Sequence, residues 1–281
     1  MPLLPLAEAI AIHVRDGQSV ALEGFTHLIP FAAAHEIIRQ GRQRLHLIRM
    51  TPDLVYDQLI GMGCAERLTF SWGGNPGVGS LHRLRDAVER QWPRPLALRE
   101  FTHAEMAVAY QAGASGLPCG LMGQHAVTDL ARVAESRRTL SCPFTGARLT
   151  AVQALNPDVT ILHAQQIDAS GNVLIRGIVG AVKEAALAAR QVLVTVEERV
   201  ETLPTDLNAV VLPAWLISAA SVVAGGAYPS YAQGYYARDN RFYLAWDEIA
   251  RDRAAFTAWM RRHVLEVRDH AGLLRTLGVA A

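Results

Sequence analysis

Apolar, β-branched runs alternate with stretches of helical period along the first 115 residues of the chain. Residues 19–25 read as a strand, and 31–40 then space their apolar positions for a helix packed on one face. The unit repeats as strand 45–50 and helix 54–62, strand 67–72 and helix 81–91, then strand 96–102 and helix 105–114. Strands separated by helix-length segments imply parallel crossovers of right-handed sense. The pattern predicts an α/β fold, a doubly wound and mostly parallel sheet flanked by helices. Residues 117–150 break the rhythm with Pro118, Gly120, Gly123, Pro143 and Gly146, which predicts an irregular covering segment of loops and short strands. Order returns with strand 159–167, a turn over 168–172, a short return strand 173–176, helix 181–189 and strand 191–197. Within the C-terminal segment, about 228–281, Trp246, Ile249, Phe256, Trp259 and Val264 fall at helical spacing and predict a helical tail docked on the surface. No internal repeat divides residues 1–281, so one domain is expected.

Composition narrows the picture. With 281 residues, 51% of them hydrophobic and 19% charged, the chain can bury a large core and is no disordered tail. A net charge of +1 leaves no electrostatic footprint for nucleic acid. Cys64, Cys119 and Cys142 lack metal or disulfide spacing, and reduced thiols fit a cytoplasmic protein. Residues 207–237 carry no charge, yet Pro213, Ser218, Ser221 and the Gly225–Gly226 pair cut the run. They predict a short strand and a buried helix, not a membrane span.

In a parallel sheet, ligands bind at the carboxyl ends of strands. The first such loop, 23–30, offers Gly24 for close backbone approach but is neither a phosphate loop nor a dinucleotide fingerprint. It also reads as a plain strand–helix turn. The second contains Asp53, placed as a helix N-cap. The third, 71–80, packs four glycines and a proline into ten residues, which suits backbone amides turned toward a ligand. The fourth holds Glu100, His103 and Glu105, equally readable as solvated charges or as acid–base groups. Gly113 to Gly116 ends a helix, the wrong context for a nucleophilic serine, and the ten histidines show no metal spacing. Trp72, Tyr228, Tyr231, Tyr235 and Tyr236 read as core or interface residues.

Four blocks, 20–27, 74–79, 110–118 and 156–172, together with 228–240, run collinearly through nearly the whole chain. By them the chain resembles the α-type (A) subunits of family I coenzyme A transferases, the glutaconate CoA-transferase-like group. The resemblance implies CoA and acyl-CoA as substrates with no permanently bound cofactor or metal, a small carboxylic acid as acceptor, and a partner B subunit in an αβ or α2β2 assembly. It implies Gly24, Phe25, Thr26, His27, Gly74, Asn75, Gly77, Gly79 and Gln111 as substrate- and CoA-binding positions. In this family a B-subunit glutamate attacks the thioester, forming an acyl anhydride and then a glutamyl-CoA thioester. The comparable turn here, Arg49-Met50-Thr51-Pro52, has no glutamate, so the nucleophile is expected on the partner. A related ring-cleaving CoA-thioester hydrolase places a working glutamate where this chain has His103, with Glu100 shared, and makes these two the on-chain catalytic candidates. A non-catalytic CoA-ester-binding subunit is the third reading.

Overall fold

The computed structural model describes residues 2–75, 78–123, 136–205 and 208–279. Its centre is a parallel sheet built from β1 (Ser19–Leu22), β2 (Leu45–Ile48), β3 (Ala65–Phe70), β4 (Ala97–Glu100), β8 (Val159–Ile167), β10 (Gln191–Arg199) and β12 (Ala219–Val222). Their order across the sheet is β12-β10-β8-β1-β2-β3-β4. Chain direction reverses its march at β1, which pairs with β2 on one side and β8 on the other. That reversal opens the crevice in which such sheets bind ligands. Beyond the crevice, β9 (Val173–Arg176) turns back antiparallel on the end of β8 and pairs with β11 (Ala209–Leu212).

Alternation along β1 sends side chains to two separate cores. Val20 and Leu22 join Leu45 and Leu47 against α1 (Leu6–His13), α2 (Phe31–Arg39) and α3 (Leu54–Gly61). Ala21 and Ile48 face the opposite layer, formed by α5 (His103–Ala114) and α6 (Val182–Ala188). Helices therefore cover both faces, as the β–α rhythm predicts. Helix α4 (His82–Arg90) leans on α3 and on the tail.

Two expectations change. Residues 219–222 are not a buried helix but β12, parallel to β10; Ala219, Ala220 and Ser221 are buried and leave no period to read. The covering segment holds short strands as expected, paired antiparallel in a sheet of their own, β5 (Cys119–Gly123), β7 (Arg148–Gln153) and β6 (Arg137–Ser141), while 124–135 lie outside the described residues. The tail is three helices, α7 (Asn240–Arg251), α8 (Arg253–Met260) and α9 (His270–Thr276), with one π-helical turn at Arg261–Leu265. Asp239, Asp252 and Asp269 cap the three N-termini, and Trp246 and Phe256 are wholly buried rather than surface-docked.

Asp57, fully buried on α3, accepts hydrogen bonds from the Arg83 and Leu84 amides at 2.8 and 2.9 Å, tying α3 to the start of α4. Burial pushes its carboxyl up to about 7. The folded chain thus keeps a proton that the unfolded chain releases, so stability falls as pH rises from about 4 to about 7, by at most about 1.4 kcal/mol per pH unit. Urea midpoints at pH 5 and pH 8 should differ less in Asp57→Asn than in the parent; an unchanged slope would contradict this role.

Candidate active site

At the carboxyl ends of β1 and β2 lies a cleft of about 430 Å³ lined by Met50, Ala107, Gln111, Gly180, Ala181 and Glu184. Met50 supplies the floor, α5 one wall through Ala107 and Gln111, and the start of α6 the other. Phe25 borders it, since a Cβ built on Gly180 would stand 3.1 Å from the Phe25 Cβ. Gln111 thus lines the cleft directly, and Phe25, far from it in sequence, packs against the lining residue Gly180. Ala107, Gly180, Ala181 and Glu184 were not singled out by sequence; no motif marks them, and only the packing of α6 beside α5 gathers them.

Beneath the floor sits a buried polar cluster. Arg49, fully buried, donates from both terminal nitrogens to the Asp53 carboxylate at 3.1 and 3.2 Å and to the Gly24 carbonyl at 2.7 Å. Asp53 also caps α3, accepting from the Val55 amide, as expected. Glu23, at the end of β1, accepts the Tyr110 hydroxyl at 2.7 Å. Burial pushes Glu23 above the ordinary carboxylate value, against the pull of Arg49 and Tyr110.

The loop after β1 is held tightly. Gly24 has φ +154°, and its Cβ would meet the Leu28 and His27 carbonyl oxygens at 2.7 and 2.8 Å. The glycine is required by the loop's own curl; a ligand is not needed to explain it. Thr26 and Leu28 both adopt left-handed backbone, at φ 58° and 52°. His27 is enclosed: its Nε2 accepts from the Gln233 amide at 3.0 Å, which leaves Nδ1–H to face the Ile178 carbonyl at 3.4 Å. Desolvation lowers the pKa of the ring. In this geometry His27 fastens the loop to the C-terminal segment and does not reach the cleft.

The glycine-rich loop after β3 leans on the same floor, with the Ser71 and Trp72 amides donating to the Met50 carbonyl at 3.1 and 3.2 Å. Gly74 is buried under the Trp72 ring, and a Cβ on Gly79 would strike Asp247. Asn75 is 3% exposed with both side-chain polar atoms unpartnered. Gly77 lies outside the described residues. None of Gly74, Asn75 and Gly79 lines the cleft.

Glu100 and His103 stand exposed at the end of β4 and the first turn of α5. Glu105 is committed elsewhere, closing a capping box with Thr102 and pairing with Arg137 of β6. Among the described residues no cluster of three or more His, Cys, Asp or Glu could hold a metal, and no helix is long and apolar enough to cross a membrane.

Known proteins share both the sequence and this architecture. The profile of the family described as Coenzyme A transferase matches residues 4–220. The α-type (A) chain of the 3-oxoadipate CoA-transferase of Pseudomonas knackmussii is 60% identical over 267 residues, covering 95% of each chain. The corresponding chain of the glutaconate CoA-transferase of Acidaminococcus fermentans is 30% identical over 297 residues, covering 98% of this chain and 92% of its own. The crystal structure of that organism's glutaconate CoA-transferase superposes with a TM-score of 0.92 at 28% identity, over 99% of this chain and 93% of that one. A variant of the decarboxylase AibA/AibB superposes at 0.81 and 32% identity, over 92% and 98%. This chain therefore belongs to the coenzyme A transferase family, among its α-type subunits.

Proposed function

We propose that this chain is the α-type subunit of a two-subunit, cytoplasmic enzyme moving CoA between an acyl-CoA thioester and 3-oxoadipate or a closely similar dicarboxylate. The observation that carries the reading is 60% identity to the α-type chain of a 3-oxoadipate CoA-transferase across 95% of both chains. The B partner supplies the glutamate nucleophile. Its carboxylate oxygen attacks the thioester carbonyl and the C–S bond breaks, releasing CoA thiolate and leaving an acyl-glutamyl anhydride. The thiolate then attacks the glutamyl carbonyl and expels the acyl carboxylate, giving a glutamyl-CoA thioester. The acceptor carboxylate runs the same two steps in reverse, so no water, oxidant or net proton is consumed.

A carboxylate nucleophile needs no base, since its ordinary pKa of about 4.3 leaves it ionised at neutral pH. It needs a dry site and donors for the developing oxyanion. Gln111 offers a side-chain amide on the cleft wall, and Phe25 and Met50 offer apolar surface beside it. Position 51, where a nucleophile would fall in a B-type chain, is Thr51 at a bend after β2. The on-chain glutamates near the strand ends are poorly placed for attack. Glu23 is buried on Tyr110, Glu105 is paired, and Glu100 is solvated.

The test is co-purification with the B partner, followed by an acyl-CoA donor panel against 3-oxoadipate, glutaconate and acetate. The expected result is acceptor-dependent exchange, at least about tenfold faster in kcat/KM with 3-oxoadipate, a size of discrimination that one or two methylenes can provide. Preference for glutaconate would overturn the substrate assignment. Release of CoA to water with no acceptor would favour the hydrolase.

A further inference from the structure

We infer that Tyr110 and Glu23 are positioning residues, whose hydrogen bond braces the α5 wall of the cleft against its floor. This rests on the transferase reading above. The two side chains are 87 positions apart, 0% and 3% exposed, and meet at 2.7 Å. Each is next in sequence to a group that matters. Tyr110 precedes Gln111 on the cleft wall, and Glu23 precedes Gly24, whose carbonyl Arg49 holds at 2.7 Å. Arg49 in turn precedes Met50 of the floor. A continuous path of bonds therefore runs from Gln111 to Met50 beneath the cleft.

Stability alone gives little reason for the pair. It lies beside an apolar cluster that includes Ala21, Ile48, Phe101, Met106 and Ala109. A phenol and a carboxylate buried there carry a desolvation cost that apolar side chains would avoid, offset on the Glu23 side by the charge of Arg49. What apolar contacts lack is direction. Met106 and Ala109 against Ala21 and Ile48 allow α5 to slide slightly along the sheet, whereas the Tyr110–Glu23 bond admits one setting. A shift of about 1 Å in a substrate-positioning group can cost roughly a hundredfold in rate.

The deciding experiment uses the complex with the B partner and compares Tyr110→Phe with the double variant Glu23→Leu/Tyr110→Phe. Tyr110→Phe leaves a buried carboxylate short of a donor and should lower both Tm and kcat. The double variant removes the stranded donor-less carboxylate but also takes a nearby negative charge from Arg49, so it should recover only part of the parent's Tm, while kcat stays about ten- to a hundredfold down and KM for acyl-CoA moves less. Recovery of kcat together with Tm would overturn the inference, because the pair would then be only structural. If the double variant does not assemble, Tyr110→Phe assayed well below its own Tm decides: a kcat within about twofold of the parent overturns the inference. Failure of the parent complex to exchange CoA would instead reject the transferase reading.

Discussion

Gly24→Val should reduce turnover of the assembled enzyme below about 1% of the parent and lower its Tm. The added Cβ would sit 2.7 Å from the Leu28 carbonyl oxygen and 2.8 Å from that of His27, both main-chain atoms that cannot rotate away. The loop has little freedom to absorb the clash. Its Thr26 and Leu28 are already left-handed, a conformation costing about 1–3 kcal/mol each, and it is pinned from several sides. Arg49 holds the Gly24 carbonyl, Tyr231 accepts from the Leu28 amide at 2.9 Å, and Ser230 accepts from the Ile29 amide at 3.1 Å. Opening the curl therefore displaces Phe25 from Gly180 on the cleft's edge. Gly41 supplies the control: its φ is +63° with nothing within 4 Å of a built Cβ. Gly41→Ala should cost about 1 kcal/mol and leave kcat unchanged. Full activity of Gly24→Val would show that the curl is not needed.

Arg49→Met should destabilise the chain by about 3–5 kcal/mol, because it strands buried carboxylates rather than merely removing contacts. Asp53 loses both of its guanidinium bonds, Glu23 loses the nearby positive charge, and the Gly24 carbonyl loses its donor. At about 2–4 °C per kcal/mol for a domain of this class, Tm should fall by roughly 10 °C. Asp53→Asn in the same background should restore part of the loss by removing one stranded charge. A Tm shift below about 2 °C for Arg49→Met would mean that the cluster does not hold the cleft floor together.

The layers of the fold were legible because short apolar runs alternate with helix-length spacings from 19 to 114. Where periodicity vanished, so did legibility. Residues 219–221 are small, uncharged and buried on both faces, and a strand of that kind cannot be told from a buried helix segment. Helix α1 went unpredicted because Pro5 precedes it without a capping side chain. The tail's three breaks had a readable signal in Asp239, Asp252 and Asp269, each a capping residue, which the aromatic spacing overshadowed.

The candidate site was legible only in part. Gln111 lines the cleft and Phe25 packs behind its Gly180, whereas His27 is spent on Gln233, and Gly24 serves its own loop. Glu184 enters through α6, and the Glu23–Tyr110 and Arg49–Gly24 bonds join residues 87 and 25 positions apart. Local sequence pattern carries no trace of such pairings.

The proposed function implies a division of labour, in which this chain shapes the cleft while the partner carries the nucleophile. Glu184 puts that division at risk, since it is a carboxylate on the cleft lining of this chain. Intact-mass analysis of the two-chain complex, incubated with acyl-CoA and quenched in acid, tests it directly. A CoA adduct is expected on the B partner, removed together with activity when borohydride is added before the quench, with no mass shift on this chain. A stoichiometric CoA adduct on this chain, abolished by Glu184→Gln, or exchange by this chain alone, would contradict it.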